Sequence, residues 1–387
     1  MWRVFWLAVL LVTFDGYAAT INLAHTMKHE HFNQLLSEFA EQSGLTVNSV
    51  LVDQKALKVR LVQNTSTSTS TDVVIVPADH LGLDKYANYS TIPDSLIADT
   101  TDKRTLETAK LNNELLGIPI IQGNHLLLFY NKQFVKEPIE NWQDIYQIQP
   151  TLPEKMKLVT WSFMEMYWFI PFLSAFNGDL IVDNQVQLNT PAMQSALKFV
   201  WGLNKQNLVD RQCDYTCSNN AFKAQQAAFT IDGAWALKTY EQALGNNLGI
   251  QQLPKLNGEY MQPYYSTFVL AFPNHALNGA NKESLIKFAK LVQAEKFQTL
   301  VWQKLQDIPV NTEVLNNLKA QQGTELSTLI DAIQFTKPMP STASMIIVWE
   351  VLNKGFIRYG SGALTAEQTG HFMQGLAERS IANEGDE

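Results

Sequence analysis

The chain has 387 residues, of which 46% are hydrophobic and 17% are charged, and its formal net charge is −8. This length and hydrophobic content are typical of a globular protein with two lobes, each with its own core, and they exclude a fibrous or disordered chain. The negative charge, together with the absence of any basic cluster in the sequence, excludes nucleic acid and anionic lipid as partners.

Residues 1–18 predict a secretory signal peptide. Arg3 gives a positive start, residues 4–13 form an apolar run, and the segment ends in the small residues that a signal peptidase accepts. The apolar run is shorter than the roughly 20 residues that a membrane-spanning helix needs. No cysteine follows the cleavage region, so we expect a soluble protein in an oxidising compartment, without a lipid anchor.

Strands and helices alternate at the start of the predicted mature chain. Residues 20–24 predict a strand, apolar residues between 32 and 39 recur on one helix face, and residues 45–52 predict a second strand. This βαβ order predicts a parallel sheet. His25 and His29 have the spacing of metal ligands on a helix, but no third ligand is evident. We therefore interpret this segment as a polar loop and expect no metal and no cofactor.

Polar residues follow two predicted strands directly. Residues 72–76, DVVIV, predict a strand that is buried on both faces, and Asp79 and His80 come immediately after it. Residues 228–231 predict another buried strand, which we expect Asp232-Gly233-Ala234 to end before Trp235. Because ligands of open α/β sheets bind beyond the carboxyl ends of strands, these side chains are candidate ligand residues. A core tryptophan beside a strand end is the alternative for Trp235.

The other predicted elements complete an α/β pattern. We expect strands at 116–121, 125–130, 153–161, 248–253 and 267–272, and helices at 191–201, 283–292, 297–305, 324–335, 344–359 and 365–383. Thr365 and Gln368 have the spacing of a helix capping box. The first two of these strands are separated by a polar link, as expected where a chain leaves one lobe and enters another.

Cys213 and Cys217 are the two cysteines of the sequence. A pair with this spacing lacks the two further ligands of a structural zinc site. In an exported protein we interpret the pair as a local disulfide that fixes a surface loop and is dispensable for binding.

No sequence motif of an enzyme is present. The chain lacks the P-loop, dinucleotide-binding, zinc-protease and α/β-hydrolase motifs. Two carboxylates such as Glu165 and Asp232 would suffice for a glycosidase, so that alternative stays open. Because aromatic and acidic residues cluster at predicted strand ends, we favour a binding protein over an enzyme.

Six segments, in order along the chain, carry a family resemblance: DVVIVPADHLG, GIPIIQGNHLLLFYN, EMYWFIPFLSAFNG, AFKAQQAAFTIDGAW, QPYYSTFVLAFPN and KPMPSTASMIIVWEVLNKG. They resemble the extracellular solute-binding proteins of sugar ABC importers, most closely the periplasmic maltose/maltodextrin-binding proteins. The resemblance spans essentially the whole mature chain. It implies an α/β fold of the periplasmic-binding-protein type II, with two hinge-connected lobes that close over a sugar.

The resemblance also implies lobe boundaries and partners. The N-terminal lobe would comprise residues 19–121 and 271–320, and the C-terminal lobe residues 122–270 and 321–387. The protein would be a monomer that binds a maltodextrin-like oligosaccharide and delivers it to ABC transporter permease subunits in the inner membrane.

Ligand residues follow from the same resemblance. Aromatic rings stack on the apolar faces of sugars, and carboxylates accept hydrogen bonds from sugar hydroxyls. Asp79 matches a first-lobe carboxylate of the family, whereas a carboxylate and stacking aromatics of the second lobe are matched by Glu165, Tyr167, Trp235 and Trp349. The expected ligand-binding set is Lys28, Asp79, His80, Glu165, Tyr167, Asp232, Trp235, Tyr265, Trp349 and Glu350.

Several positions depart from the pattern of the maltose binders, among them the crossover acid, replaced by the region of residues 122–124, and the first-strand loop at residues 27–28, which lacks an aspartate. Val76 replaces a tryptophan, His80 replaces an arginine and Glu350 replaces a tyrosine. The departures leave another solute open as the ligand: a different sugar, a glycerol phosphate ester, or ferric iron. The iron alternative rests on Tyr264-Tyr265, which is similar to the tyrosine pairs of some iron binders.

Overall fold

The computed structural model describes residues 20–27, 31–63, 71–321 and 324–385. The predicted signal peptide lies outside the described residues, and so do Lys28 and His29. Within the described ranges, no helix combines the length and the apolar character that crossing a membrane requires.

Most predicted elements are present. The strands are β1 (Thr20–His25), β2 (Thr46–Leu51), β3 (Val73–Pro77), β4 (Lys110–Leu111), β5 (Glu114–Leu115), β6 (Ile118–Gly123), β7 (Leu126–Asn131), β8 (Lys157–Thr160), β9 (Ile181–Val182), β10 (Gln185–Val186), β11 (Ala227–Gly233), β12 (Leu248–Gln251), β13 (Lys255–Leu256), β14 (Glu259–Tyr260), β15 (Tyr264–Ala271), β16 (Ile308–Pro309) and β17 (Lys337–Pro338).

The helices lie mainly between these strands and in the last third of the chain. They are α1 (Phe32–Gln42), α2 (Gln54–Gln63), α3 (Asp84–Ala87), α4 (Lys103–Thr108), α5 (Asp144–Ile148), α6 (Met166–Ala175), α7 (Pro191–Lys205), α8 (Tyr215–Lys223), α9 (Leu237–Leu244), α10 (Lys282–Gln293), α11 (Glu295–Leu300), α12 (Thr312–Gln321), α13 (Thr324–Asp331), α14 (Ser344–Gly360) and α15 (Ala366–Gly385).

Two predicted helices are shorter than expected. The helix predicted for 297–305 ends at Leu300 and continues as a wider π-type turn through Leu305. The helix predicted for 324–335 ends at Asp331 and tightens into a 3₁₀ turn. Hydrophobic spacing does not distinguish these turns from a regular helix, because the same face stays buried. The capping box at the start of α15 is confirmed: the backbone N–H groups of Thr365 and Gln368 donate to each other's side chains.

A large mixed sheet forms the first lobe, in the strand order β16-β6-β15-β3-β1-β2 with β17 joined to β15. Strands β1, β2 and β3 are parallel, as the βαβ order predicts. Alternate residues of β3 belong to different apolar clusters, Val73 and Ile75 to one and Val74 and Val76 to the other. The sheet is therefore covered on both faces, which accounts for the continuous β-branched run.

A second sheet, in the order β12-β7-β11-β8, forms the other lobe. Its central strands are β7 and β11, which pair antiparallel, whereas β11 and β8 are parallel. Side chains from its two faces also enter separate apolar clusters. The two helix-covered sheets confirm the predicted two-lobed α/β fold.

Two backbone segments that connect the sheets lie close together. The chain leaves the first sheet at the end of β6 and enters the second at the start of β7. It returns to the first sheet with β15, whose residues 266–271 pair with β6 and β3. The predicted lobe boundary between 270 and 271 falls inside this strand. We propose instead that the crossing lies at Tyr264 and Tyr265, and that residues 266–271 of β15 belong to the first lobe.

His125 lies in the first crossing segment and is fully buried. Its Nε2–H donates to the backbone carbonyl of Leu329 at 3.0 Å, and its Nδ1 has no hydrogen-bond partner in the protein. Burial lowers the pKa of His125 from 6.5 to about 4. The folded protein therefore contains a neutral imidazole at a point where the two lobes join.

This burial predicts an acid-sensitive stability. Between pH 6.5 and 4 the unfolded chain binds a proton at His125 and the folded protein does not, so stability present above pH 6.5 is lost as the pH falls, by about 3 kcal/mol. His125→Gln retains a donor for Leu329 but does not titrate. In urea unfolding at a series of pH values, the difference in stability between wild type and His125→Gln should narrow as the pH falls through this window. A constant difference would show that His125 titrates normally in the folded state.

Candidate functional site

Five aromatic rings follow one another along the edge of the second lobe. The ring centroids of Trp349 and Tyr167 lie 6.4 Å apart, those of Tyr167 and Trp168 6.2 Å, and those of Trp168 and Trp235 6.2 Å. Tyr215 lies beside Trp168 at 6.1 Å. We call these residues the aromatic strip. Trp168 is buried, whereas Trp235 is 40% exposed and Tyr215 is 37% exposed, so the strip offers open ring surface at its Trp235 end.

Trp235 is held by three neighbours. A Cβ on Gly233 would lie 2.1 Å from the six-membered ring of Trp235, so the indole lies directly over this glycine. Trp168 packs edge-on at an interplanar angle of 84°, and the Trp235 Nε1–H donates to the hydroxyl of Tyr215 at 2.9 Å. One face of the indole stays accessible. The preceding N–H, of Ala234, donates to the carbonyl of His125 in the first crossing segment.

Tyr167 connects the strip to the crossing segments. Its hydroxyl lies 2.6 Å from the carbonyl oxygen of Asn124 and 2.9 Å from that of Tyr264. Burial raises the pKa of Tyr167, and the negative charge of Asp79 raises it further. The phenol therefore stays protonated and can donate to these carbonyls. The charge effect also places Asp79 of the first lobe near Tyr167 of the second.

Asp79 and His80 lie in the 3₁₀ turn that follows β3, at the strand end where the sequence predicts them. Asp79 Oδ1 and His80 Nδ1 are 3.5 Å apart, and neither atom has a hydrogen-bond partner in the protein. The Asp79 side chain is 21% exposed. A carboxylate oxygen without a hydrogen-bond partner in the protein is an acceptor suited to the hydroxyl group of a ligand.

A cavity of about 350 Å³ lies between the two sheets, next to Trp235. Its volume is at the lower end of the roughly 300–1,000 Å³ typical of small-molecule sites. The cavity is lined by indoles and by polar side chains from both lobes and the crossing segments. These are Trp235, Lys238 and Glu241 on one side, and Gln122, Asn124, Ser266, Trp302, Gln303, Gln306 and Asp307 on the other.

The charged groups of this cavity are mostly acidic. Burial raises the pKa of the Asp307 carboxyl to about 7. Burial also raises the pKa of Glu241, and the charge of Glu325 adds to the effect. Lys238 is the basic residue among the lining side chains. Two indoles, several amides and carboxylates form a donor and acceptor set that suits a neutral polyhydroxylated ligand.

Three other predicted ligand residues have different positions. Glu165 is exposed and precedes α6, where its side chain does not cap the helix, so its carboxylate is accessible. Glu350 is exposed and forms an ion pair with Lys354 at 2.5 Å. One residue step turns it by about 100° around the helix axis from Trp349, so it does not share the face of that ring. Lys28 lies outside the described residues.

Asp232 does not face the cleft. β11 ends at Gly233, inside the break predicted for residues 232–234, so Asp232 lies within the strand and pairs with the start of β7. Asp232 is 1% exposed, its Oδ2 accepts from the hydroxyl of Tyr240 at 2.5 Å, and its Oδ1 accepts from the N–H of Gly233. Burial raises its pKa to about 6. We therefore remove Asp232 from the ligand-binding set.

The hydroxyl of Tyr265 also has its hydrogen-bond partner within the protein. It is 5% exposed, and its hydroxyl donates to the backbone carbonyl of Arg104 at 2.6 Å. Burial raises its pKa to about 12. A phenol that is buried, protonated and already bonded contributes to the packing of β15 and not to ligand binding.

The predicted disulfide between Cys213 and Cys217 is confirmed. Its predicted location in a surface loop is only partly correct, because Cys213 is 3% exposed. Cys213 Sγ lies 3.6 Å from Thr160 Oγ1 of β8, so one end of the loop is anchored on the second sheet.

Sequence patterns missed two groups of residues at this site. Tyr215 lies inside the disulfide loop, where its proximity to Trp235 depends on tertiary structure. Trp302 lies in a segment predicted as a helix, and no local sequence signal marks it as a ligand residue.

Comparison with known proteins identifies the family. The sequence profile of the family described as bacterial extracellular solute-binding proteins matches residues 34–328. The chain belongs to this family. This agrees with the resemblance found in the sequence.

Relatives and solved structures extend the comparison. A maltooligosaccharide ABC transporter solute-binding lipoprotein of Streptococcus pneumoniae is 20% identical over 83% of this chain and 78% of its own length. A maltotriose-binding protein of Pyrococcus abyssi is 25% identical over 57% of the chain and 50% of its own length. Similar solved structures include the maltose/maltodextrin-binding domain MalE from Bdellovibrio bacteriovorus bound to maltotriose, with TM-score 0.77, 23% identity and coverage of 94% of this chain and 100% of that domain. A cyclo/maltodextrin-binding protein complexed with maltotetraose has TM-score 0.80, 18% identity and coverage of 94% and 97%.

The environment of Asp232 predicts a structural role. Asp232→Ala should lower the free energy of unfolding by about 1–3 kcal/mol, because the buried Tyr240 hydroxyl loses its acceptor. Urea unfolding at pH 7 measures this loss, and Glu350→Ala serves as a control on an exposed carboxylate. Wild-type stability combined with lost ligand affinity in Asp232→Ala would restore this residue to the site.

Proposed function

We propose that this protein binds a linear maltodextrin-type oligosaccharide between its lobes and presents it to the permease of an ABC importer. The aromatic strip is the observation that carries the proposal. Neighbouring aromatic side chains of the strip form an apolar surface. Successive sugar units of a linear oligosaccharide can stack on this surface. The accessible ends of the strip, at Trp349 and Trp235, lie in the second lobe and supply most of this surface.

The first lobe supplies hydrogen-bond acceptors. Asp79 has a carboxylate oxygen without a hydrogen-bond partner in the protein, and its charge acts on Tyr167 of the aromatic strip. A sugar stacked on the strip would leave its outer hydroxyl groups in water until the first lobe closed over it. Contacts to Asp79 would then provide the differential affinity that shifts the protein toward a closed state.

The cavity beside Trp235 is suited to one end of the sugar chain. Its second indole, Trp302, comes from the segment before β16 in the first sheet, whereas Trp235 follows β11 in the second sheet. Asp307 and Gln122 provide polar partners on the same side as Trp302. A terminal sugar ring in this cavity would contact both lobes.

The family and its named relatives support this choice of ligand. Proteins of similar sequence are named for maltooligosaccharides or maltotriose, and both similar structures contain maltodextrin fragments. We further propose a periplasmic monomer that is exported by a cleaved signal peptide without a lipid anchor, although the relative from Streptococcus pneumoniae is named a lipoprotein.

The alternative ligands find less support in the site. A ferric site built on Tyr264 and Tyr265 would need free phenolates, but the Tyr265 hydroxyl donates to a backbone carbonyl. A phosphate ester would meet Asp307 and Glu241 with Lys238 as the basic partner in the cavity. The glycosidase hypothesis needs Asp232 as a second carboxylate, and that side chain is buried against Tyr240.

Calorimetry and small-angle scattering with maltotriose test the proposal. Wild type should bind and should become more compact at saturation. Trp349→Ala should bind more weakly, by about 2 kcal/mol or roughly 30-fold, because a stacking surface is lost, but should still compact at saturating sugar. Asp79→Ala should bind more weakly and fail to compact, because the first lobe loses its principal acceptor.

Tyr260→Ala is a matched control for the aromatic substitutions. Tyr260 is 40% exposed and packs against Phe335, outside the cavity and the aromatic strip. Its substitution should leave affinity unchanged. If wild type binds no maltooligosaccharide, or binds without any change in radius of gyration, the proposal is wrong.

Asp307 predicts a pH dependence of binding. Its carboxyl has a pKa of about 7 in the free protein, and the ionised form is the stronger hydrogen-bond acceptor. Maltotriose affinity should therefore rise by up to about tenfold from pH 6 to pH 8. Asp307→Asn does not titrate at this position, and it leaves Lys238 and Glu241 unchanged. Calorimetry on this variant should therefore show a weaker dependence of maltotriose affinity on pH. Equal profiles for the two proteins would place the sugar outside this cavity.

A further inference from the structure

We propose that Tyr215 is a positioning residue for the Trp235 indole, and that the Cys213–Cys217 disulfide keeps Tyr215 in place. The inference rests on the proposed function only for the identity of the ligand. It replaces the expectation, drawn from the sequence, that the disulfide is dispensable for binding.

The contact between the two aromatic residues is specific. The Trp235 Nε1–H donates to Tyr215 Oη at 2.9 Å, and both rings pack on Trp168. Tyr215 and Trp235 are each more than one third exposed. An exposed pair keeps such a bond only if its side chains are already restricted, because water competes for both groups and ordering costs conformational entropy.

Trp235 is restricted by its neighbours on one side. The indole lies over Gly233 and against the edge of Trp168, which fixes its inner face. Its Nε1 edge has Tyr215 as its protein partner. Removing this bond would let the ring turn about its side-chain torsions and would present the sugar with a less ordered surface.

The disulfide restricts Tyr215 from the N-terminal end of its segment. Cys213 is buried, and its carbonyl accepts from the N–H of Phe163 at 3.2 Å. Cys213 Sγ also lies next to Thr160 of β8. Tyr215 follows two residues later, so its backbone position is tied to the second sheet.

The C-terminal end of the segment is fixed in α8. Tyr215 is the first residue of this helix, and Asp214 caps it by accepting from the N–H of Cys217 at 2.8 Å. The Sγ–Sγ bond therefore joins the first turn of α8 to a buried anchor. A chain without this bond would lose the covalent link between buried Cys213 and the first turn of α8, and the Tyr215 hydroxyl would be less well placed.

A ligand-free measurement tests the positioning role directly. The indole N–H of Trp235 can be assigned in a ¹H–¹⁵N spectrum by its loss in Trp235→Phe, and its exchange with solvent can then be measured. Exchange should be slow in wild type. It should be faster in Tyr215→Phe, which retains the ring but removes the acceptor, and in the double variant Cys213→Ser/Cys217→Ser.

Maltotriose calorimetry then tests the consequence for binding. Tyr215→Phe and the double serine variant should each bind about threefold to tenfold more weakly, the range expected for one neutral hydrogen bond. If the disulfide acts through Tyr215, the triple variant should be no weaker than Tyr215→Phe alone. Tyr260→Phe, a substitution of an equally exposed tyrosine, should bind as wild type does.

The outcomes separate the two hypotheses. Slow indole exchange in Tyr215→Phe overturns the positioning role, and this variant should fold even if the serine variant is destabilised. Slow exchange in a folded serine variant, or additive losses of affinity in the triple variant, overturns the role of the disulfide. If wild type binds no maltooligosaccharide, the proposed function fails, but the exchange data still decide the positioning of Trp235.

Discussion

The hydroxyl of Tyr167 lies between the backbone carbonyls of Asn124 and Tyr264, and this contact joins the second lobe to both crossing segments. One phenol proton serves two acceptors, so the two segments must stay close for the contact to persist. Trp349 packs against both Tyr167 and Tyr264. The position of the aromatic strip relative to Asp79 therefore depends on how the two crossing segments are arranged.

The elements of the fold follow from local sequence patterns. The run from Val73 to Val76 must be buried on both faces, and the βαβ order at the start of the chain requires a parallel sheet. Asp79 lies directly after β3, at the strand end where the sequence pattern predicts it. Trp235 follows the same rule, although β11 ends at Gly233, two residues beyond the strand predicted for residues 228–231.

Predictions that failed depended on long-range contacts. The alternation of side chains along β11 turns Asp232 toward Tyr240, and this depends on pairing with β7, more than 100 residues earlier in the chain. The Tyr265 hydroxyl donates to the carbonyl of Arg104, a residue that is also far away in the sequence. The cavity joins Trp302 to Trp235 across the two sheets, which no local pattern contains.

The absence of a side chain at Gly233 determines where the Trp235 ring can lie. Because the Trp235 ring lies over Gly233, the last residue of β11, any side chain at residue 233 would displace the ring. Gly233 pairs with Leu126, and Ala234 donates to His125, at the point where the chain enters the second lobe. A ligand that covers the outer face of the indole therefore also covers backbone that is joined to the segment where the chain enters the second lobe.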